Sequence, residues 1–117
     1  IWIAIDNATK DNGAIEYLVG SHKKLYSHVA SYAPGSSQKV KRIFQLKKKF
    51  RKKTFNLKPG DCLLHHSQII HGSKKNESDL SRRGFTVQVM KKSSKVDKKR
   101  FKKYQDSLIK QISLRKK

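Results

Sequence analysis

The segment Leu57-Lys58-Pro59-Gly60-Asp61-Cys62-Leu63-Leu64-His65-His66-Ser67-Gln68-Ile69-Ile70-His71-Gly72-Ser73-Lys74-Lys75-Asn76, with Arg82 eleven residues after His71, constrains this chain more than any other. Pro59-Gly60-Asp61 is a turn signal, the apolar run from Cys62 to His66 predicts a strand entering a core, and a second short strand reaches His71. A polar loop follows, and Arg82 opens a further strand. The pattern places one imidazole and one guanidinium at neighbouring strand ends, the layout of half a metal site.

With 117 residues, 35% of them hydrophobic, the chain can build one modest core. Ile1-Trp2-Ile3-Ala4-Ile5 already has the character of a buried strand, with no initiator methionine and no lead-in, so the chain is expected to start inside a domain. Such a piece is expected to expose strand edges and apolar faces and to associate or dissolve poorly. The single cysteine, Cys62, rules out an intrachain disulfide. It is expected to be a buried small hydrophobe in a reducing, cytoplasmic setting. No stretch has the length of a transmembrane segment, and no signal-peptide pattern precedes the first strand.

Charge is the second constraint: 29 Lys+Arg against 8 Asp+Glu give a formal +21. Its distribution matters more than its size. Basic residues concentrate in Lys39 to Lys53, at Lys74-Lys75 and from Lys91 onward, whereas the strand-like segments 1–5, 14–19 and 61–71 hold none. The charge therefore decorates a scaffold. No zinc-finger spacing, aromatic platform or helix-turn-helix pattern is present, and lysine outnumbers arginine, the residue that forks onto bases and phosphates. Specific nucleic-acid binding is not expected, while nonspecific polyanion adhesion at low salt is.

Along the chain, a strand at 1–5 leads through a polar connection ending in the turn dipeptide Asn12-Gly13 to a second strand, Ala14 to Val19. Lys23 to Ser31 reads as a short helix or an irregular excursion, and Ala33 to Ser37 as a turn. Residues 39–55 mix lysine with Val40, Ile43, Phe44, Leu46, Phe50 and Phe55, as a solvated strand or loop would. Gly84 to Met90 alternates Phe85, Val87 and Val89 with Thr86, Gln88 and Met90, the period of a half-buried strand. From Asp97, a candidate N-cap, the period becomes helical, with Phe101, Tyr104, Leu108 and Ile112 on one face of a basic amphipathic helix. Its expected role is to pack on the outside of a barrel; an anionic-surface or partner-binding segment is the alternative. Short strands separated by turn signals predict a mainly β sandwich or barrel.

Trp2-Ile3-Ala4-Ile5-Asp6, Asn12-Gly13-Ala14-Ile15, Gly20-Ser21-His22, Pro59-Gly60-Asp61, His71-Gly72-Ser73, Asn76 and Arg82-Arg83-Gly84, in this order, resemble the phytanoyl-CoA dioxygenase family from residue 1 to about residue 90. The resemblance implies a double-stranded β-helix, the jelly-roll or cupin-like barrel, of which residues 1–90 would be the C-terminal portion. Residues 91–117 would form a lysine-rich C-terminal helix. It also implies an enzyme that uses Fe(II), 2-oxoglutarate and O2 to hydroxylate a small organic substrate.

Iron in such enzymes is held by two histidines and a carboxylate on one face, leaving positions open for cosubstrate and O2. The resemblance makes His71 the second histidine and Arg82 the cation that forks onto the distal carboxylate of 2-oxoglutarate. Ser73, two residues beyond His71, would add a hydroxyl to that carboxylate. The bland alternatives are an ordinary hydrogen-bonded histidine, a surface arginine, or Arg83 as the anion binder, since adjacent strand residues face opposite ways. Spacing favours Arg82. His22 reads as structural. One of His65 and His66 is expected to line the pocket, and neither is read as a ligand.

The departures are as informative. The family places a His-x-Asp pair upstream of the tryptophan strand, and no His-x-Asp occurs in these 117 residues. Val19 stands before Gly20 where the family often has proline. Three classes follow: the C-terminal part of an Fe(II)/2-oxoglutarate dioxygenase, inactive by itself; a noncatalytic or degenerate relative; or a basic nucleic-acid or anionic-surface binding protein.

Overall fold

The computed structural model describes residues 1–31 and 38–115, with side chains as far as residue 113. Among the described residues, eight short strands, β1 (Trp2–Ala4), β2 (Glu16–Leu18), β3 (His28–Ala30), β4 (Gln38–Val40), β5 (Lys52–Thr54), β6 (Cys62–Leu63), β7 (His71–Gly72) and β8 (Gly84–Thr86), accompany two α-helices, α1 (Ile43–Lys49) and α2 (Lys98–Arg115). The chain divides into two compact units, Ile1–Leu25 with Phe44–Val89, and Tyr26–Ile43 with Met90–Lys117.

The first unit is built on two antiparallel three-stranded sheets, β6-β1-β8 and β5-β2-β7. In one, Trp2 lies opposite Leu63 and Thr86, and Ala4 opposite Gly84; in the other, Tyr17 lies opposite Lys53 and His71. Side chains alternate across a strand, so β1 sends Trp2 and Ala4 to the same side. They meet Tyr17, Ala8, Ala14 and Ile15 in one core, with Leu57, Leu63 and Ile69 packed against it. The described part is mainly β with two helices, and none of its three sheets closes into a barrel.

Turn chemistry sets the strand ends. Pro59 precedes Gly60, whose φ is +91°, and the Asp61 amide donates to the Lys58 carbonyl at 3.0 Å, the signature of a type II turn. Asp61 Oδ2 in turn accepts from the Lys58 amide. The Asn12-Gly13 turn goes further than a hairpin tip. Asn12 is buried, accepts from the Thr9 amide at 2.7 Å and donates to the Asn7 carbonyl at 2.8 Å.

Several expectations are corrected. Cys62 is exposed, because alternation on β6 gives the inward place to Leu63. The strand expected over 84–90 is confined to Gly84–Thr86; its ladder ends at the mutual Ile1–Val87 hydrogen bonds, and Val89 and Met90 are exposed. The strand expected over 62–66 is confined to Cys62–Leu63, and the one expected to end at His71 instead begins there, as His71–Gly72. Residues 39–55 are not one solvated strand or loop. They hold β4, α1 and β5, with Ile43, Leu46 and Phe50 at helical spacing and Lys47 to Lys49 at the C-terminal end of α1, where the helix dipole favours cations.

In the second unit, β3 pairs with β4 and α2 packs on β3. Residues 28–30, within the excursion expected at 23–31, are thus strand, preceded by a single 3₁₀ turn at Ser21–Lys23. The turn expected at Ala33 to Ser37 lies outside the described residues. Asp97 caps α2 as expected, its Oδ1 accepting from the Arg100 amide at 3.1 Å. The packed stripe runs through Tyr104, Leu108 and buried Gln111, which leaves Phe101 and Ile112 about half exposed. No helix among the described residues is long and apolar enough to cross a membrane.

Gly84 leaves room for the Trp2 indole, which a Cβ at that position would overlap. Gly84→Val is expected to destabilise the first unit by about 1–3 kcal/mol through overpacking. The check is the urea midpoint against wild type; an unchanged midpoint would mean that Trp2 is not packed against this strand.

Candidate functional site

His71 opens β7, and its neighbours are set by the register with Tyr17. Its Nδ1 lies 2.9 Å from the Ile69 carbonyl oxygen. A carbonyl only accepts, so Nδ1 carries a proton, and in the neutral ring Nε2 then holds the lone pair. This is the tautomer a metal-binding imidazole uses, with its far nitrogen oriented by a backbone carbonyl. The ring is exposed and lies 6.0 Å from the Tyr17 ring and 5.1 Å from that of His65.

Tyr17 is 4% exposed, and its hydroxyl bonds the Nδ1 of His65 at 3.0 Å. Burial pushes the Tyr17 phenol up. Burial also pushes His65 down, and the charge of a protonated His71 beside it acts in the same direction. Both effects favour a neutral His65 at pH 7.

The second half of the site follows the strand. Ser73 lies two residues beyond His71, and its hydroxyl accepts from an Arg82 Nη at 3.1 Å. The Arg82 guanidinium lies over the Trp2 ring, 5.8 Å from its centroid. Its Nε is buried and has no hydrogen-bond partner among the described residues. Orphaned donors of this kind are uncommon in native structures and cost about 1–3 kcal/mol each.

Arg83 goes elsewhere. Its Nε and Nη donate to the two carboxylate oxygens of Asp6 at 2.9 Å each, and its amide donates to Asp6 Oδ2 at 2.8 Å. The Arg83 guanidinium holds the Asp6 carboxyl at about 2, well below the usual range. Arg82 does not open the further strand as expected, since β8 begins at Gly84; Arg83 is held on Asp6 while Arg82 reaches Ser73. The intervening loop is ordered by Asn76, whose Oδ1 accepts from the Ser78 amide and whose Nδ2 donates to the Leu80 carbonyl at 2.7 Å. Gly13, at φ +85°, lets the Lys74 backbone approach to where a Cβ would sit 2.9 Å from its carbonyl oxygen.

Of the residues singled out from sequence, Ser73 and Arg82 are brought into direct contact, and His71 lies two residues from Ser73 on the same segment. Sequence reasoning missed Tyr17 and Asp6 as the groups that fix His65 and Arg83. Tyr17 gave no signal beyond being an aromatic in a strand. Asp6, a carboxylate closing an otherwise apolar strand, could have been recognised as seeking a cation.

A mainly β scaffold thus carries an exposed imidazole at His71 and, two residues on, the serine of an arginine–serine pair. The chain belongs to the phytanoyl-CoA dioxygenase family: the sequence model described as Phytanoyl-CoA dioxygenase (PhyH) matches residues 1–84, which include His71, Ser73 and Arg82. A Phytanoyl-CoA dioxygenase domain-containing protein 1 homolog of Caenorhabditis briggsae is 32% identical over 101 residues, covering 80% of this chain and 35% of that protein. The mouse Phytanoyl-CoA dioxygenase domain-containing protein 1 is 29% identical over 99 residues, covering 82% and 34%. Phytanoyl-CoA dioxygenase 1 of Oryza sativa is 26% identical over 98 residues, covering 77% and 32%. The chain therefore spans about a third of the length of the curated relatives it matches. No solved structure matches it.

The Asp6–Arg83 pair gives a pH signature. A carboxyl whose folded pKa lies near 2, below its ordinary 3.8, contributes stability that is fully present above pH 4 and is lost as pH falls towards 2. Thermal midpoints of wild type and Asp6→Asn should differ by a constant amount from pH 5 to 7 and converge below pH 4. A difference that does not narrow in acid would show that the pair does not form in solution.

Proposed function

We propose that this chain is the C-terminal part of a jelly-roll Fe(II)/2-oxoglutarate-dependent dioxygenase that hydroxylates a small organic substrate. In this reading Arg82 and Ser73 bind the distal carboxylate of 2-oxoglutarate, and His71 is one iron ligand. The observation that carries it is the Arg82 guanidinium. One Nη is bonded to Ser73, Nε has no partner among the described residues, and the competing Arg83 is held by Asp6.

The fit to the two cofactors differs. A carboxylate beside Arg82 would satisfy the orphaned Nε by a charge-assisted hydrogen bond, and Ser73 could turn its hydroxyl proton to the same anion. The Trp2 indole beneath the guanidinium excludes water from that side and limits the directions in which the fork can point. For iron, the fit of this chain alone is incomplete. His71 offers one nitrogen, and among the described residues no group of three or more histidine, cysteine or acidic side chains is placed to hold a metal. A His-x-Asp pair would have to come from outside these 117 residues, which leaves this chain the tasks of gripping the cosubstrate and supplying a single imidazole. Membership of the family supports a dioxygenase-like relative.

A second reading, a scaffold without catalysis that adheres to anionic surfaces, is favoured by the missing ligands and the formal +21. The two separate experimentally. Joined to the upstream part of a family relative carrying His-x-Asp, and supplied with Fe(II) and 2-oxoglutarate, the chain is expected to release succinate. His71→Ala should abolish that release, and Arg82→Ala should raise the KM for 2-oxoglutarate by about 10–100-fold, as expected for a lost charged hydrogen bond. Succinate formation indifferent to both substitutions would sink the oxygenase reading. Adhesion to heparin that disappears between about 50 and 200 mM salt and survives both substitutions is expected from charge alone.

A further inference from the structure

The His65 ring stands beside that of His71, and both lie against Tyr17. The two ring centroids are 5.1 Å apart with planes tilted by 41°. Two imidazoles that share one tetrahedral ion, with metal–nitrogen bonds of about 2.1 Å, have ring centres about 5 Å apart. Each Nδ1 is already engaged, that of His71 with the Ile69 carbonyl and that of His65 with the Tyr17 hydroxyl. Both Nε2 atoms are left without a partner among these contacts. The Tyr17 hydroxyl can donate to a free His65 or accept from its Nδ1–H once Nε2 is coordinated, so the hydrogen bond survives either state.

The group that supports His65 is buried. Tyr17 is 4% exposed, sits on the central strand of its sheet, and has Phe55 edge-on at 6.3 Å. Buried aromatics of this kind hold their hydroxyl in place, and partners that orient a ligating imidazole typically change metal affinity by about 10–100-fold.

We propose that His65 and His71 form a two-imidazole site for a divalent transition-metal ion, with Tyr17 as the residue that positions His65. The proposal rests on the reading of His71 as a metal ligand and adds His65 as a second donor supplied by this same chain. Imidazole donors select zinc, nickel or copper over magnesium and calcium, and water completes the coordination.

The test uses the 117-residue protein and Zn(II) alone. Calorimetric titration at pH 7.5 is expected to show one ion per chain. His65→Phe and His71→Ala should each weaken binding by at least about tenfold, and Tyr17→Phe should weaken it measurably, since the orienting hydroxyl is lost. His22 and His66 form another close imidazole pair, with centroids 5.5 Å apart, so the double variant His22→Gln/His66→Gln should leave the affinity unchanged. Histidine-detected nitrogen NMR on the wild type needs no variant to fold: Zn(II) should shift Nε2 of both His65 and His71. Absence of Zn(II) binding, loss of binding in the His22/His66 variant, or an Nε2 shift confined to His71 overturns the proposal. Loss with His71→Ala but not with His65→Phe sinks the paired site and leaves His71 as a ligand. Binding unaffected by His71→Ala sinks both this inference and the assignment of His71.

Discussion

Two buried aromatics, Trp2 and Tyr17, hold the first unit together, one on the central strand of each three-stranded sheet. Burying an aromatic side chain contributes about 1.5–3 kcal/mol, which is large beside any exposed ion pair in the chain. Both rings also do something at their outer edges. Trp2 carries the Arg82 guanidinium, and Tyr17 carries His65 and lies beside His71. The candidate site is thus the polar border of the core.

The sorting of like residues is the second theme. Arg82 and Arg83 are chemically equivalent, yet Asp6 takes both carboxylate hydrogen bonds from Arg83 and an amide hydrogen bond besides. What the pair contributes is direction: it holds Arg83 on Asp6, while Arg82 reaches Ser73. The same logic separates Leu63, turned inward, from Cys62, turned out.

Loop order matters as much as strand pairing. The segment between Ser73 and Arg82 is kept in register by the Asn76 turn, and the Lys74 backbone closes over Gly13, whose positive φ and missing Cβ permit the approach. The bonds that fix Asn12 and the Glu77 amide, which donates to Asp11 at 3.3 Å, tie the loop after β1 to the loop after β7. The Arg82–Ser73 pair therefore depends on residues far away in sequence.

Local chemistry was readable from the sequence alone. Pro59-Gly60 makes its turn and Asp97 caps its helix because each uses backbone groups only a few residues distant. The family signature was likewise legible, since motif order and spacing survive without coordinates. What tertiary structure decided were the choices between equals: which of Arg82 and Arg83 pairs with Asp6, which of Cys62 and Leu63 faces inward, a lysine-rich strand or α1 over residues 43–49, and the pairing of His65 with Tyr17 across 48 residues. Those depend on which face of a strand meets the core and which partner lies across from it, and alternation along a chain fixes faces only relative to one another until long-range pairing sets which face is inside.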